Sequence, residues 1–275
     1  MKIKKHITAL ATAATLSVTL PAVAQQSQHM TPETMLSLAR VGASALSPDG
    51  KTVVYSVGFP SIKDNKIRTE LFTISSDGSA RRQITQGVAG VHGARWIQQG
   101  RRISYISSES GAPQVWTMAP DGTDRRQVTN IEGGLSDYLF SPDEKQLAYI
   151  KEISFGKSTK EIYPDLPKAT GRIVTDLMYK HWDEWVETIP HIFIAPVGGE
   201  AITGGKDILE GEPYEAPTKP FGGAEELSWS PDGKTLAYSS RKKTGMEYSL
   251  STNTDIYLYD LASGQTRNIT EGMGG

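Results

Sequence analysis

Short runs of alternating hydrophobic and polar residues, joined by tight turns, repeat along the chain. The clearest copy spans residues 227–239, where Leu227 and Trp229 precede the turn Ser230-Pro-Asp-Gly233. Proline presets the backbone of the second turn residue, and glycine accepts the left-handed conformation that closes a hairpin. Alternation with a period of two predicts a β-strand on each side of the turn.

This strand–turn–strand pattern occurs four times. Aligned just before the turn, the copies fall at Leu46, Trp96, Phe140 and Trp229, so they are 50, 44 and 89 residues apart. A second hydrophobic run follows each copy, at residues 70–74, 114–118, 191–195 and 255–259. Four short strands per unit, at a period of roughly 40–50 residues, are typical of β-propeller blades. Four copies in the same order disfavour an ordinary β-sandwich.

The repeats predict an all-β fold, a β-propeller of four-stranded blades with about four blades present and an incomplete ring. We expect blades at about 45–85, 94–129, 138–203 and 225–270, within a partial propeller over 45–275. Residues 25–44 are expected to form an N-terminal extension with a short helix capped by Thr31.

An insertion at about 151–190 in the third blade explains the 89-residue step. We expect it to be mostly helical or irregular, because Leu177, Met178, Trp182 and Trp185 fall at helical spacing. That helix would either pack its aromatic stripe on the propeller rim or form a binding wall.

The loops of the predicted blades differ most on one face. The loops between second and third strands, at about 57–69, 108–113, 151–190 and 241–254, share that face with the crossovers between blades, including a long one at about 203–225. Because binding residues gather on loops held by a rigid scaffold, this face is the expected functional face.

Residues 1–24 match the pattern of a secretory signal peptide. A basic start with Lys2, Lys4 and Lys5 precedes an apolar stretch at 7–20, too short for a membrane span, and Ala22-Val-Ala24 matches a cleavage site. The sequence therefore predicts cleavage after Ala24 and a periplasmic or secreted protein. It contains no cysteine for a lipid anchor, a disulfide or a thiolate, so no membrane anchor is expected.

Composition excludes several other classes. The formal net charge is −2, which gives no basic surface for nucleic acid. The five histidines show no metal-ligand spacing, so neither a metal nor a cofactor is expected. The glycine-rich stretch 87–93 does not join a strand to a helix, which argues against a nucleotide site.

Three further stretches are distinctive: residues 177–185 (Leu-Met-Tyr-Lys-His-Trp-Asp-Glu-Trp), 210–215 (Glu-Gly-Glu-Pro-Tyr-Glu) and 241–249 (Arg-Lys-Lys-Thr-Gly-Met-Glu-Tyr-Ser). The runs 181–185 and 241–245 are much more specific than the blade turns, which many bacterial propellers share. With the signal peptide and the blades, the three stretches resemble the prolyl-oligopeptidase family of serine peptidases. The resemblance implies a propeller of seven or eight blades, followed by an α/β-hydrolase domain with a Ser-Asp-His triad.

The chain departs from that family pattern because it contains no Gly-x-Ser-x-Gly motif. We therefore expect an N-terminal fragment without the hydrolase domain, with no catalytic residue and no activity alone. Its implied role is the substrate-gating propeller of an exported serine peptidase that releases dipeptides from peptide N-termini. Short peptides and the missing C-terminal hydrolase domain are the implied partners, and a homodimer of the full-length protein stays open. The alternative is a stand-alone periplasmic binding propeller of the TolB type.

A dipeptidyl-peptidase must hold the substrate's amino group, which requires a shielded carboxylate and is helped by aromatic walls. The long loops offer Trp182, Asp183, Glu184 and Trp185 from the insertion, Glu212, Tyr214 and Glu215 from the crossover, and Glu247 and Tyr248 from the fourth blade. Related peptidases use propeller acids in this way. We predict that Glu212 is the first-choice anchor of the amino group and Glu184 the second choice, with Trp185 as the aromatic wall beside it. Alternatively, these acids are rim salt-bridge partners of Lys180, Arg241 and Lys242.

Overall fold

Four antiparallel four-stranded sheets make up the described part of the chain, residues 29–273 of a computed structural model. The predicted signal peptide, residues 1–24, lies outside the described residues. Each sheet pairs its strands in blade order, so the propeller-type fold class is confirmed. None of the described helices is long and apolar enough to cross a membrane.

The first two blades follow the short helix α1 (Pro32–Ser37), whose N-cap is Thr31 as predicted. Blade one consists of β1 (Arg40–Leu46), β2 (Thr52–Ser61), β3 (Lys66–Ser75) and β4 (Arg82–Gln83). Blade two consists of β5 (His92–Ile97), a 3₁₀ turn (Gln98–Gly100), β6 (Arg102–Ser107), β7 (Gln114–Met118) and β8 (Arg126–Gln127).

The last two blades carry the additional elements. Blade three consists of β9 (Asp137–Phe140), β10 (Gln146–Ser154), β13 (Thr188–Pro196) and β14 (Lys206–Asp207). Its insertion holds α2 (Thr159–Ile162) and a hairpin of β11 (Lys180–His181) and β12 (Glu184–Trp185). After a 3₁₀ turn (Ala224–Glu226), blade four consists of β15 (Leu227–Trp229), β16 (Thr235–Ser240), α3 (Gly245–Leu250), β17 (Asp255–Asp260) and β18 (Thr266–Asn268).

The repeated turns fold as their sequence predicts. In blade four, the Ser230 hydroxyl donates to Asp232 (2.6 Å) and accepts the Thr235 amide (2.9 Å), while Gly233 takes a φ of 69°. The Ser230 hydrogen bond is the largest cause that holds the pKa of Asp232 below its usual value. Blade three lacks the glycine, and Glu144 occupies the left-handed position instead, at a φ of 57°.

Successive blades pack face to face, because each pair of neighbours shares one buried apolar cluster. Val54 and Leu71 of blade one meet Ile103 and Tyr105 of blade two. Equivalent clusters join blade two to blade three and blade three to blade four. Bonds between first strands reinforce the stacking: the indole N–H groups of Trp96 and Trp229 donate to Ala45 and Leu139 of the preceding blade, at 3.0 and 3.2 Å.

Several predicted boundaries need correction. β1 begins at Arg40, inside the predicted extension, because the chain pairs with β2 that early. The predicted loop 57–69 is mostly a hairpin, since β2 and β3 stay paired as far as Ser61 and Lys66. In blade three, β10 and β13 pair as far as Ser154 and Thr188, so the insertion spans 155–187 rather than 151–190. The fourth strand of that blade, β14, lies beyond the predicted end at 203.

The helix expected around residues 177–185 is wrong. The segment forms a β-hairpin in which Lys180 pairs with Trp185, and His181 pairs with Glu184. Met178 and Trp182 have φ values of 59° and 54°, in the left-handed region that ends a right-handed helix. The crossover contacts the hairpin, because Trp182 packs edge-on against Phe221 with ring centroids 5.1 Å apart.

Candidate functional site

Three long segments meet at one edge of blades three and four: the insertion, the crossover after β14 and the loop between β16 and β17. Alternating strand directions place all three on the same face, as the sequence predicts. Together they line a half-open cavity of about 40 Å³. Its lining residues are Phe155, Leu177, Met178, His181, Val186, Ile189, Pro213, Tyr214, Glu215, Lys243, Thr244, Gly245 and Tyr248.

Glu215 is the buried carboxylate of this cavity, with 4% of its surface exposed. Its Oε1 accepts hydrogen bonds from the Tyr248 hydroxyl and from the Lys219 amide (3.1 Å), and its Oε2 lies 3.2 Å from His181 Nε2. Its own backbone carbonyl accepts the Ser240 hydroxyl at 2.9 Å. Glu215 thus connects the insertion, the crossover and blade four.

Tyr248 and Arg241 complete the polar side of the cavity. Burial raises the pKa of the Tyr248 hydroxyl, and its hydrogen bond to the Glu215 carboxylate raises that pKa further. The guanidinium of Arg241 lies 3.6 Å from the centroid of the Tyr248 ring, and its Nη2 lies 3.9 Å from Glu215 Oε1. The phenol therefore stays neutral and donates to a carboxylate that also has a nearby cation.

Glu212, three residues earlier on the crossover, has a different partner. Its Oε2 lies 2.5 Å from the ammonium of Lys242, which is also 4.5 Å from the centroid of the Tyr257 ring. Glu212 and Glu215 therefore meet consecutive cations of the blade-four loop: Glu212 pairs with Lys242, and Glu215 lies close to Arg241. Such ion pairs were the alternative that the sequence left open.

The hairpin residues predicted for the site are solvent-exposed. Trp182 is 74% exposed at the turn, next to the exposed Asp183 and Glu184. Trp185 is 41% exposed and lies between two cations, with Arg172 and Lys180 at 4.6 and 4.5 Å from its ring centroid. Its ring therefore already contacts side chains of its own segment.

Among the nine candidates, the structure brings Tyr214, Glu215 and Tyr248 together at the cavity. Glu212 lies beside it, because Tyr214 both lines the cavity and has the Lys242 ammonium 5.9 Å from its ring centroid. Glu247 is exposed on α3. The hairpin contributes a different residue, His181, instead of its tryptophans and acids.

Sequence reasoning missed His181, Leu177 and Met178 as cavity residues. His181 was considered only as one of five histidines without metal-ligand spacing, and the two apolar residues were placed on a helix stripe. The specific stretch 177–185 was the available signal, since it marked the segment without giving its conformation. The described residues include no group of three or more histidine, aspartate or glutamate side chains placed to hold a metal ion.

Comparison with known proteins gives clear sequence relatives, although no protein-family model matches the chain. It is 63% identical over 248 residues to a protein named dipeptidyl-peptidase 5 from Porphyromonas gingivalis, with 90% of this chain and 36% of the relative covered. A protein of the same name from Porphyromonas endodontalis is 50% identical over 250 residues, with 91% and 36% covered. The chain therefore spans about a third of the length of these relatives.

Solved structures agree on the fold. An acylaminoacyl peptidase in complex with a chloromethyl ketone superimposes with a TM-score of 0.59 at 13% identity, covering 86% of this chain and 33% of the other. A puromycin-hydrolysing peptidase from Mycobacterium tuberculosis gives 0.52 at 15% identity, covering 85% and 32%. The resemblance to prolyl-oligopeptidase-type peptidases is thus confirmed, and by sequence the chain is a homologue of part of the proteins named dipeptidyl-peptidase 5.

Proposed function

We propose that this chain is the substrate-gating propeller part of an exported serine peptidase that releases dipeptides from peptide N-termini. The observation that carries the proposal is the cavity at the long-loop face, with its buried carboxylate, Glu215. The chain's relatives named dipeptidyl-peptidase 5 support the same activity.

Glu215 can accept a substrate ammonium without losing its present partners. A carboxylate offers about four acceptor positions. Tyr248, Lys219 and His181 use three of them, two on Oε1 and one on Oε2. We infer that the remaining position on Oε2 accepts the amino group of a peptide, where the shielded surroundings would strengthen a charge-assisted bond.

The remaining candidate residues act as cavity walls or as alternative anchors of the amino group. Tyr214 and Tyr248 form walls of the cavity. Glu212 and Glu184, the two acids favoured from the sequence, stay predicted anchors: Glu212 is engaged by Lys242, and Glu184 is exposed on the hairpin. Peptide-bond cleavage requires a nucleophile, a base and an oxyanion hole, which we assign to an α/β-hydrolase domain outside the printed sequence.

Export belongs to the same proposal. The basic start, the apolar stretch and the Ala22-Val-Ala24 site support a signal peptide cleaved after Ala24, and hence a periplasmic or secreted enzyme. N-terminal sequencing of the mature protein, recovered from the periplasm or the medium, tests the cleavage site directly.

The decisive test compares Glu215→Gln with Glu210→Gln in the protein expressed from the complete reading frame. Glu210 is an exposed acid on the same crossover and serves as the matched control. Glu215→Gln should raise the KM for a chromogenic dipeptidyl substrate by ~10-fold or more, the worth of about one charge-assisted hydrogen bond. N-acetylation of the substrate should impair the unchanged enzyme similarly, and Glu210→Gln should have no effect.

The same assay separates the candidate functions. The printed chain alone should bind dipeptides and hydrolyse none. Dipeptide binding without hydrolysis by the complete protein would favour the binding propeller. Unchanged kinetics in Glu215→Gln would reject Glu215 as the anchor, and Glu212→Gln and Glu184→Gln would then decide between the other two acids.

A further inference from the structure

Lys242 is held in a pocket of the kind that recognises an ammonium ion. Its Nζ lies 2.5 Å from Glu212 Oε2, 4.5 Å from the centroid of the Tyr257 ring and 5.9 Å from that of Tyr214. Only 17% of its side chain is exposed. A carboxylate together with aromatic faces provides both the charge and the cation–π attraction that a primary ammonium requires.

This combination sets Lys242 apart from the other lysines of the described residues. Lys180 and Lys206 lie over aromatic rings, at 4.5 and 5.4 Å from the ring centroids, and no carboxylate of residues 29–273 lies within ion-pair distance of either ammonium. Lys145 and Lys234 pair with carboxylates on exposed turns, where 79% and 76% of their side chains are exposed. Within residues 29–273, Lys242 alone has both types of contact in a shielded place.

The surroundings of Glu212 favour a cation next to its carboxylate. Its side chain is 32% exposed, and Tyr257 beside it is buried. A partly buried carboxylate without a cation is costly, because its lost hydration is not replaced. If Lys242 were absent, the carboxylate and the rings would still be present, and another ammonium of suitable size would restore the balance of charge.

The Lys242 site adjoins the cavity at Glu215. Tyr214 contributes to both, and it lies on the crossover between the two acids. A peptide amine that enters the cavity therefore arrives next to a second carboxylate that is already neutralised.

We propose that Lys242 is the resident occupant of a primary-ammonium site formed by Glu212, Tyr214 and Tyr257, and that an external amine binds Glu212 only when this side chain is displaced. The ligand class is a small primary alkylammonium, including the amino terminus of a peptide. The peptide part of this inference rests on the proposed function, whereas the ammonium site itself does not.

Chemical rescue tests the site with a probe that needs no peptidase activity. Lys242→Ala removes three methylene groups and the ammonium, and propylammonium matches these atoms. It should bind Lys242→Ala at least about tenfold more tightly than the unchanged protein. At tenfold excess over its Kd, it should raise the Tm of the variant by about 3 °C or more.

Three controls define the specificity of the rescue. Lys234→Ala removes an exposed lysine and should gain no propylammonium binding. Propanol, which has the same shape without the charge, should not stabilise Lys242→Ala. The double variant Glu212→Gln/Lys242→Ala should lose the rescue, because the carboxylate is gone.

Propylammonium and dipeptide binding together separate the ammonium site from the proposed peptide-anchoring function. If propylammonium neither stabilises Lys242→Ala nor restores its folding where the variant is unfolded, the ammonium site does not exist as described. If rescue occurs but dipeptides bind neither the unchanged protein nor the variant, the site stands and the peptide-anchoring function is wrong.

Discussion

At the scale of single residues, buried tyrosine hydroxyls make the fold sensitive to alkaline pH. Tyr149 is 1% exposed, and burial, followed by the negative charge of Asp207, raises its pKa to about 12 from 10.0. Between these pH values the unfolded chain loses a proton that the folded chain keeps. The stabilisation is complete below pH 10 and declines as the pH rises towards 12.

Tyr149→Phe removes this titration and should therefore flatten the decline. The urea midpoint of the unchanged protein should fall between about pH 9 and pH 11 by more than that of Tyr149→Phe. Tyr163→Phe, at a residue 48% exposed in the insertion, is the matched control and should decline like the unchanged protein. An equal decline in all three would show that the Tyr149 hydroxyl does not contribute.

The acids of the site illustrate which features of a single residue can be predicted from the sequence and which depend on the tertiary structure. Glu212 and Glu215 could be assigned to a functional loop, because that crossover is long and acidic. Which of them is buried depends on Arg241 and Lys242, about 30 residues later, which separate to meet one acid each. Such pairing is fixed by tertiary packing, and no local pattern records it.

At the scale of elements, the hairpin of β11 and β12 is the main difference between expectation and structure. Its tryptophans fall at helical spacing, but its turn needs left-handed backbone at Trp182, which residue spacing does not reveal. The blades were predictable because strand alternation recurs in all four copies, and the complete Ser-Pro-Asp-Gly turn at residues 47–50 and 230–233 agrees with it. The hairpin has few pairing bonds of its own, and its conformation depends on contacts with the crossover.

The contact between Trp182 and Phe221 should therefore be energetically coupled. The two rings meet edge-on with centroids 5.1 Å apart, although 74% and 76% of the side chains are exposed. A double-mutant cycle of Trp182→Ala and Phe221→Ala, measured by urea unfolding, should give a coupling free energy of about 0.5–1.5 kcal/mol. The cycle of Trp185→Ala with Phe221→Ala should give almost none. Equal coupling in both cycles would mean that the hairpin does not dock through Trp182.

At the scale of the whole molecule, the four blades form a short stack with two inner and two outer members. Blades two and three each share an apolar cluster with a neighbour on both sides. Blades one and four share one cluster each within the described residues, and they show exposed apolar residues such as Val41 (74%), Leu46 (57%) and Ile256 (44%). In stacked repeats, stability comes largely from the interfaces between neighbours, so the outer blades have about half of that contribution.

Hydrogen exchange of the printed chain should reveal this difference blade by blade. The second strand of every blade is paired on both sides, so β2, β6, β10 and β16 are matched in backbone bonding and differ in how many blades cover them. Each of the four strands also has one core residue without exposed surface: Val54, Ile103, Leu147 and Leu236. Amides in β2 and β16 should exchange at least about tenfold faster than those in β6 and β10, because the outer blades open without the inner ones. Equal protection in all four strands would instead show that the blades unfold as one cooperative unit, and that stacking on one side is sufficient to hold a blade.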